Sequence, residues 1–266
     1  MSWITGRRLT LSPPRRFICD LLHASQKIPV VTFSRNVDLS LLLAARERLT
    51  RPPAWALIFA KAFAIVAHRR PEFRRTFLPF PWHHLWQSDE SIASIAFERD
   101  YKGEPAVFFG LIKSPDKKPL AELATKLEEW KTKPLDELPL CRRLLFFARL
   151  PLLLRRMAWW YATAWSGKVK ARNFGTFGVS LTGSAGATAT NLICPLTTSL
   201  NCGVIQPDGS VDVRLHFDHR VLDGMPVARA LADFEEVLKT DIVTELESMS
   251  EAHPQGIRPL PVAAGV

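Results

Sequence analysis

The sequence predicts a mixed α/β fold, and three observations predict it. Val211, Val213, Leu215 and Phe217 alternate with Asp212, Arg214 and His216. That period of two marks a strand with one buried face. Residues 54–69 include WALIFAKAFAIVAHR, apolar on nearly every side, as in a helix buried all round. Leu120, Leu123, Ala124, Leu127 and Trp130 recur at helical spacing, as do Val227, Leu231, Phe234 and Leu238. Each set gives a helix with one apolar stripe.

Taken in order, Asp38 is a good N-cap for a helix over 39–49, ended by Pro52-Pro53. Pro53 opens the buried helix 54–69, and Pro71 stops it. Residues 72–90 are rich in Phe, Trp, Pro and His and read as irregular. His83-His84 lies here without Asp, Glu or Cys at metal-site spacing, so surface or capping histidines are expected and no metal. Strands at 92–97 and 106–112 flank a turn at Lys102-Gly103. Helix 119–133 ends at Pro134. Residues 174–190 are rich in Gly, Ser and Thr, with Phe174, Phe177 and Val179 marking a strand. Strands 200–206 and 211–217 form a hairpin through Pro207-Asp208-Gly209, and a helix covers 226–238. No repeat or linker demands two domains. The expectation is one catalytic domain over 1–245, with an insert at 136–168 and a flexible tail at 246–266.

Bulk properties narrow the function. With 266 residues and 47% apolar content, the chain can build a sizeable core. Cys19, Cys141, Cys194 and Cys202 form no CxxC pair, so free thiols in a reducing, cytoplasmic compartment are expected. A nucleophilic Cys194 or Cys202 is the sharper but less favoured reading. The N-terminus lacks a signal peptide's apolar segment, and no run of about 18 uncharged apolar residues exists to span a bilayer. The net charge of +9 suits nucleic acid, an anionic membrane surface or a phosphate-rich ligand. The basic residues are dispersed and no nucleic-acid reader motif occurs, so nucleic acid is not the expected partner.

The strongest chemical signal is Phe217-Asp218-His219-Arg220-Val221-Leu222-Asp223-Gly224, between a strand and a helix. Histidine is the side chain best suited to accept a proton near neutral pH. Attack of a thiol, hydroxyl or amine on a thioester needs such a base. Asp223 and Gly224 close the turn, and Asp223 can hold the loop by an ion pair with Arg220 or a distant arginine.

The string His-Arg-x-x-Asp-Gly resembles the active-site signature of the dihydrolipoyl acyltransferases, the acyl-transferring components of 2-oxo acid dehydrogenase complexes. It is also similar to the looser motif of the chloramphenicol acetyltransferases. The likeness extends to Lys27-Ile28-Pro29 before a strand, to 38–49, to 55–72, to 92–97, to 116–120 and its helix, and to Gly175-Thr176-Phe177-Gly178-Val179-Ser180. It spans about 15–134 and 170–240. The resemblance implies a mixed sheet flanked by helices, assembled as a homotrimer or a multiple of trimers. The His of one subunit would then face the Ser of the next. It implies CoA or acyl-CoA as substrate, His219 as general base, Ser180 as oxyanion donor with Thr182 as a poorer substitute, and Asp223 as structural support.

Two departures bear on the role. No lipoyl domain or subunit-binding domain precedes the matching region, so the chain is expected to carry no lipoyl group. A freestanding enzyme, or one served by a separate acyl carrier, fits better. Residues 138–165 (LPLCRRLLFFARLPLLLRRMAWWYATAW) stand where the family has a short polar connection. Their arginines are too frequent for a membrane span. They suit a helical hairpin around Pro151, lying on a membrane surface, roofing an apolar acyl-chain tunnel, or buried between subunits. An idle oligomeric scaffold and a peripheral membrane interaction protein are the alternatives to an acyltransferase.

Overall fold

A computed structural model describes residues 6–251 apart from 182, 184, 185, 188 and 191. Six strands form one mixed sheet: β1 (Val30–Asp38), β4 (Ile92–Tyr101), β5 (Glu104–Lys113), β6 (Phe177–Leu181), β7 (Thr198–Cys202) and β8 (Ser210–Asp218). Their order is β1-β8-β7-β6-β4-β5. β6 runs parallel to both neighbours, and the other pairs are antiparallel. The alternation read in 211–217 is real. Val211, Val213, Leu215 and Phe217 lie in the main core, and Asp212, Arg214, His216 and Asp218 face the other way.

The main core fills the space between one sheet face and five helices: α2 (Ser40–Glu47), α3 (Trp55–Arg69), α4 (Leu120–Thr132), α8 (Gly224–Val237) and α9 (Val243–Glu251). In α3 ten of fifteen residues are buried, as the all-round apolar sequence requires. α2 starts one residue later than expected, with Leu39 rather than Asp38 at its N-cap, and Asp38 closes a turn onto its first residue. Asp38 Oδ1 accepts from the backbone N of Ser40 at 2.9 Å and from its hydroxyl at 2.6 Å. The β4–β5 hairpin turns at Lys102 (φ 58°) and Gly103 (φ 81°), the left-handed pair a tight hairpin favours.

Three expectations change. Residues 72–90 are not irregular: β2 (Arg75–Leu78) and β3 (His84–Gln87) pair as a small antiparallel hairpin. Its strands are four residues long and separated by prolines, too short for a period to show. Phe174 belongs to α7 (Gly167–Phe174), not to a strand. The helical chain also continues past residue 245 to Glu251. Leu246 is fully buried, and Glu245 accepts from the first backbone N of α4 at 2.7 Å while pairing with Lys61. The remainder of the expected tail, 252–266, lies outside the described residues.

The other face of the sheet is polar over β8 and β7 and covered by helices over β4 and β5. α1 (Pro13–Ser25) packs there through Phe17, whose ring centroid is 6.0 Å from that of Phe109. The 138–165 stretch is helical with the expected break at Pro151: α5 (Pro139–Phe147), then α6 (Leu152–Trp160) with a wider π turn over Tyr161–Trp165, and both helices pack on α1 rather than on each other as a hairpin. α5 closes the β5 edge, with Leu138, Cys141, Leu144 and Leu145 against Ala106 and Phe108. A buried ion pair fastens α6 to α1: Arg155 Nε lies 2.8 Å from Asp20 Oδ2, and Asp20 is 1% exposed. Removing one member strands the other charge. Asp20→Ala is therefore expected to cost about 3 kcal/mol in a denaturant melt. The double variant Asp20→Ala/Arg155→Met should recover most of that. Equal losses in the two variants would show that the pair is not what holds α6 on α1.

Candidate active site

β8 delivers its last residues to the carboxyl end of the sheet, and a tight turn then carries His219 to the surface. The turn is fixed by its backbone. Asp218 N donates to Thr197 O at 2.8 Å, and His219 N donates to Pro29 O at 3.0 Å. Asp218 is nearly fully buried and is the anchor of the loop. Its Oδ1 accepts from Arg220 N at 3.0 Å and Arg220 Nε at 2.9 Å, and its Oδ2 accepts from the other guanidinium arm at 2.7 Å. Arg220 also lies 4.3 Å over the Phe77 ring. The expected Arg220–Asp223 pair is thus replaced by Arg220–Asp218. The reason is geometric: the turn folds Arg220 back over Asp218 while Asp223 stays 85% exposed at the start of α8.

His219 itself is half-exposed. Its ring sits 5.8 Å from that of Phe217, and its Nδ1 lies 3.7 Å from Asp223 Oδ1. Nδ1 is the nitrogen beside the carboxylate, which leaves Nε2 to meet a substrate. Gly224 follows because nothing larger fits: a Cβ there would come within 2.7 Å of the Phe33 ring.

Ser180 is on the polar sheet face, and its carbonyl accepts from Asn201 Nδ2 at 2.8 Å. Thr182 lies outside the described residues. Ser180 stands level with Asn201 and Arg214 in the register of β6, β7 and β8. His219 is five residues further along β8 and two strands away, so strand geometry separates the two by roughly 19 Å within one chain. A single copy does not bring them together.

Sequence reasoning missed the groups behind this face. His216 is 2% exposed, with Nδ1 2.7 Å from Thr32 Oγ1. Asn201 Oδ1 and His216 Nε2 are buried without a partner among the described residues. Lys170 is buried within reach of the Asp218 charge and donates to Thr76 Oγ1 at 2.6 Å. Burial pulls its ammonium down to about 8, against the opposing pull of Asp218. The signal available for His216 and Asp218 was the alternation in β8, which puts both on the face opposite the apolar core. Cys194 and Cys202 are poorly placed as nucleophiles. Burial pushes Cys194 and Cys202 up, and Cys194 Sγ is tied to Ser199 Oγ at 2.9 Å. His83 and His84 join no metal-binding group among the described residues.

Burial, then the nearby Arg214, hold His216 below its usual value of 6.5. The folded chain therefore refuses a proton that the unfolded chain accepts. The stability His216 contributes is complete above about pH 6.5 and is lost as pH falls below it. The melting temperature should drop between pH 7.5 and 5.5, and His216→Gln should drop less steeply. Parallel curves for the two proteins would exclude His216 as the titrating group.

No model of a known protein family matches the sequence, and no curated protein matches it. Solved structures do. The probable dihydrolipoamide acetyltransferase of Listeria monocytogenes superposes with a TM-score of 0.63 at 20% identity, over 93% of this chain and 97% of that one. The chain has the fold of a dihydrolipoamide acetyltransferase core. The Azotobacter vinelandii dihydrolipoamide acetyltransferase, investigated for the role of a serine, a histidine and an asparagine in its mechanism, gives 0.64 at 21% identity over 91% and 94%. The truncated catalytic core of the 2-oxoacid dehydrogenase complex of Thermoplasma acidophilum gives 0.64 at 18% over 88% and 99%. The acetyltransferase-core fold thus accounts for nearly the whole chain. No helix among the described residues is long and apolar enough to cross a membrane.

Proposed function

We propose that the protein is an acyltransferase that moves an acyl group between a CoA thioester and an acceptor thiol, hydroxyl or amine, in a site shared by neighbouring copies of a trimer. The observation that carries this reading is the placement of His219. It projects half-exposed from a turn fixed by Pro29, Thr197 and the buried Asp218–Arg220 pair. A general base needs that combination of access and fixed direction.

In the step this geometry supports, His219 Nε2 takes the proton of the acceptor. The acceptor then attacks the thioester carbonyl carbon. The negative charge passes to the carbonyl oxygen, where Ser180 Oγ donates a hydrogen bond. Collapse of the intermediate breaks the carbon–sulfur bond, and the CoA thiolate takes the proton back from His219. Asp223, beside Nδ1, favours the imidazolium while it lasts. In the Azotobacter enzyme the asparagine under study stands four positions after the histidine, the place Asp223 holds here. The separation of Ser180 from His219 within one chain supports a site completed by a second copy. Lys and Arg in excess suit CoA phosphates. The test is thiol release from a panel of acyl-CoAs by the purified protein. Release from none of them, with no CoA binding, would overturn the reading in favour of an oligomeric scaffold.

A further inference from the structure

Interiors rarely leave voids larger than a water molecule. This chain has a half-open pocket of about 490 Å³ on the second face of the sheet, over β4 and β5. Its walls are α1, α5, α6 with its π turn, α7 and the segment Cys194–Leu196. Phe17, Phe109, Leu144, Phe147, Trp159 and Leu196 line it. Of the polar groups that reach it, Asp20 and Arg155 hold each other, and Asn173 Nδ2 donates to Val169 O at 2.8 Å; Ser94, Arg143, Tyr161 and Arg172 also line it. An occupant therefore meets mainly apolar surface, with Arg143, Arg172 and Tyr161 left to meet a polar end.

The two ends of the cavity differ. Phe147 (40% exposed) and Tyr161 (49%) open one side to solvent between α5 and the π turn, and Arg143 and Arg172 stand at the wall there. The inner end reaches Ser94 and Leu196. Ser94 pairs with Gly178, two residues before Ser180 on the adjacent strand, so strand spacing puts that end about 8 Å from Ser180. Leu196 stands in the gap beside Gly178, whose missing Cβ leaves room for Ser199 Oγ, 2.5 Å from where that Cβ would lie.

The geometry points to this cavity as the seat of the acyl chain of a long-chain acyl substrate, with the thioester carbonyl delivered at Ser180. At roughly 30 Å³ per water-sized group, it holds roughly 16 methylenes. This assignment rests on the acyltransferase reading for its chemistry, but not for its binding. The helical insert that builds nearly half of the walls gains a purpose: it converts a sheet face into a measured slot.

Binding can be read without catalysis. Cis-parinaric acid should bind with one equivalent per chain, and saturated fatty acids from butyrate to hexadecanoate should displace it. Affinity should rise about fourfold per added methylene and level off once the cavity is full. Ala158→Phe and Ala162→Trp fill the cavity from two positions and should each weaken hexadecanoate binding at least tenfold. Should either variant melt early, the wild-type chain-length series decides alone. Displacement independent of chain length, or hexadecanoate binding that both folded variants retain, overturns the cavity assignment. The two readings fail separately. Short acyl-CoA turnover without fatty-acid binding removes the cavity and keeps the enzyme. Length-dependent binding without turnover of any acyl-CoA does the reverse.

Discussion

Replacing His219 with alanine should lower acyl transfer from CoA thioesters by about a thousandfold, the middle of the range for losing a general base. The fold should not change. His219 is half-exposed, and its contacts are one ring edge and one carboxylate 3.7 Å away. Surface changes of that kind usually stay within about 0.5 kcal/mol. The turn is held by the backbone of Asp218 and His219 and by the Asp218–Arg220 pair, all of which alanine leaves in place. The measurement is thiol release under saturating acyl-CoA, beside a thermal melt of both proteins. Loss of turnover with an unchanged melt assigns His219 to the chemistry. Unchanged turnover means that another group takes the proton, and His216 and Lys170 are too buried to replace it.

Periodic segments were legible. β8 and α3 announce themselves because one face, or every face, is apolar, and α4 and α8 because their stripes repeat at helical spacing. The break in the insert was legible because Pro151 divides two Leu-, Phe- and Arg-rich runs, but the helices on either side pack on α1 rather than on each other. What stayed hidden depends on partners distant in sequence. The β2–β3 hairpin has strands of four residues. α7, with Gly167, Lys168, Lys170 and Arg172 in eight positions, carries too few apolar residues to show a stripe. At the site, the motif gave His219 but not its true support. Arg220 could have served either aspartate, and only the curl of the turn decides for Asp218. The insert suggested a roof over an acyl-chain tunnel, but the other walls could not be read, since α1, α5, α6 and Leu196 meet only in three dimensions.

The separation of Ser180 and His219 gives the sharpest test of assembly. Ser180→Ala should lower turnover about a hundredfold or more, as loss of an oxyanion donor does, and His219→Ala about a thousandfold. Each homogeneous variant then has every site damaged. If the site joins His219 of one copy to Ser180 of the next, subunits exchanged after mild dissociation regain intact sites. A site is whole when a Ser180→Ala copy supplies the histidine and a His219→Ala copy supplies the serine. Random mixing in equal parts gives that pairing at about one site in four. Activity should therefore climb from under one per cent of wild type to roughly a quarter. A site formed within one chain could not be rescued, because each chain would keep its own defect. The register of β6, β7 and β8 already argues for rescue. Roughly 19 Å along a hydrogen-bonded sheet cannot close without breaking the strands that hold both residues. Failure of the mixture, with exchange of subunits verified, would leave His219 to act without Ser180 and would require another donor for the oxyanion.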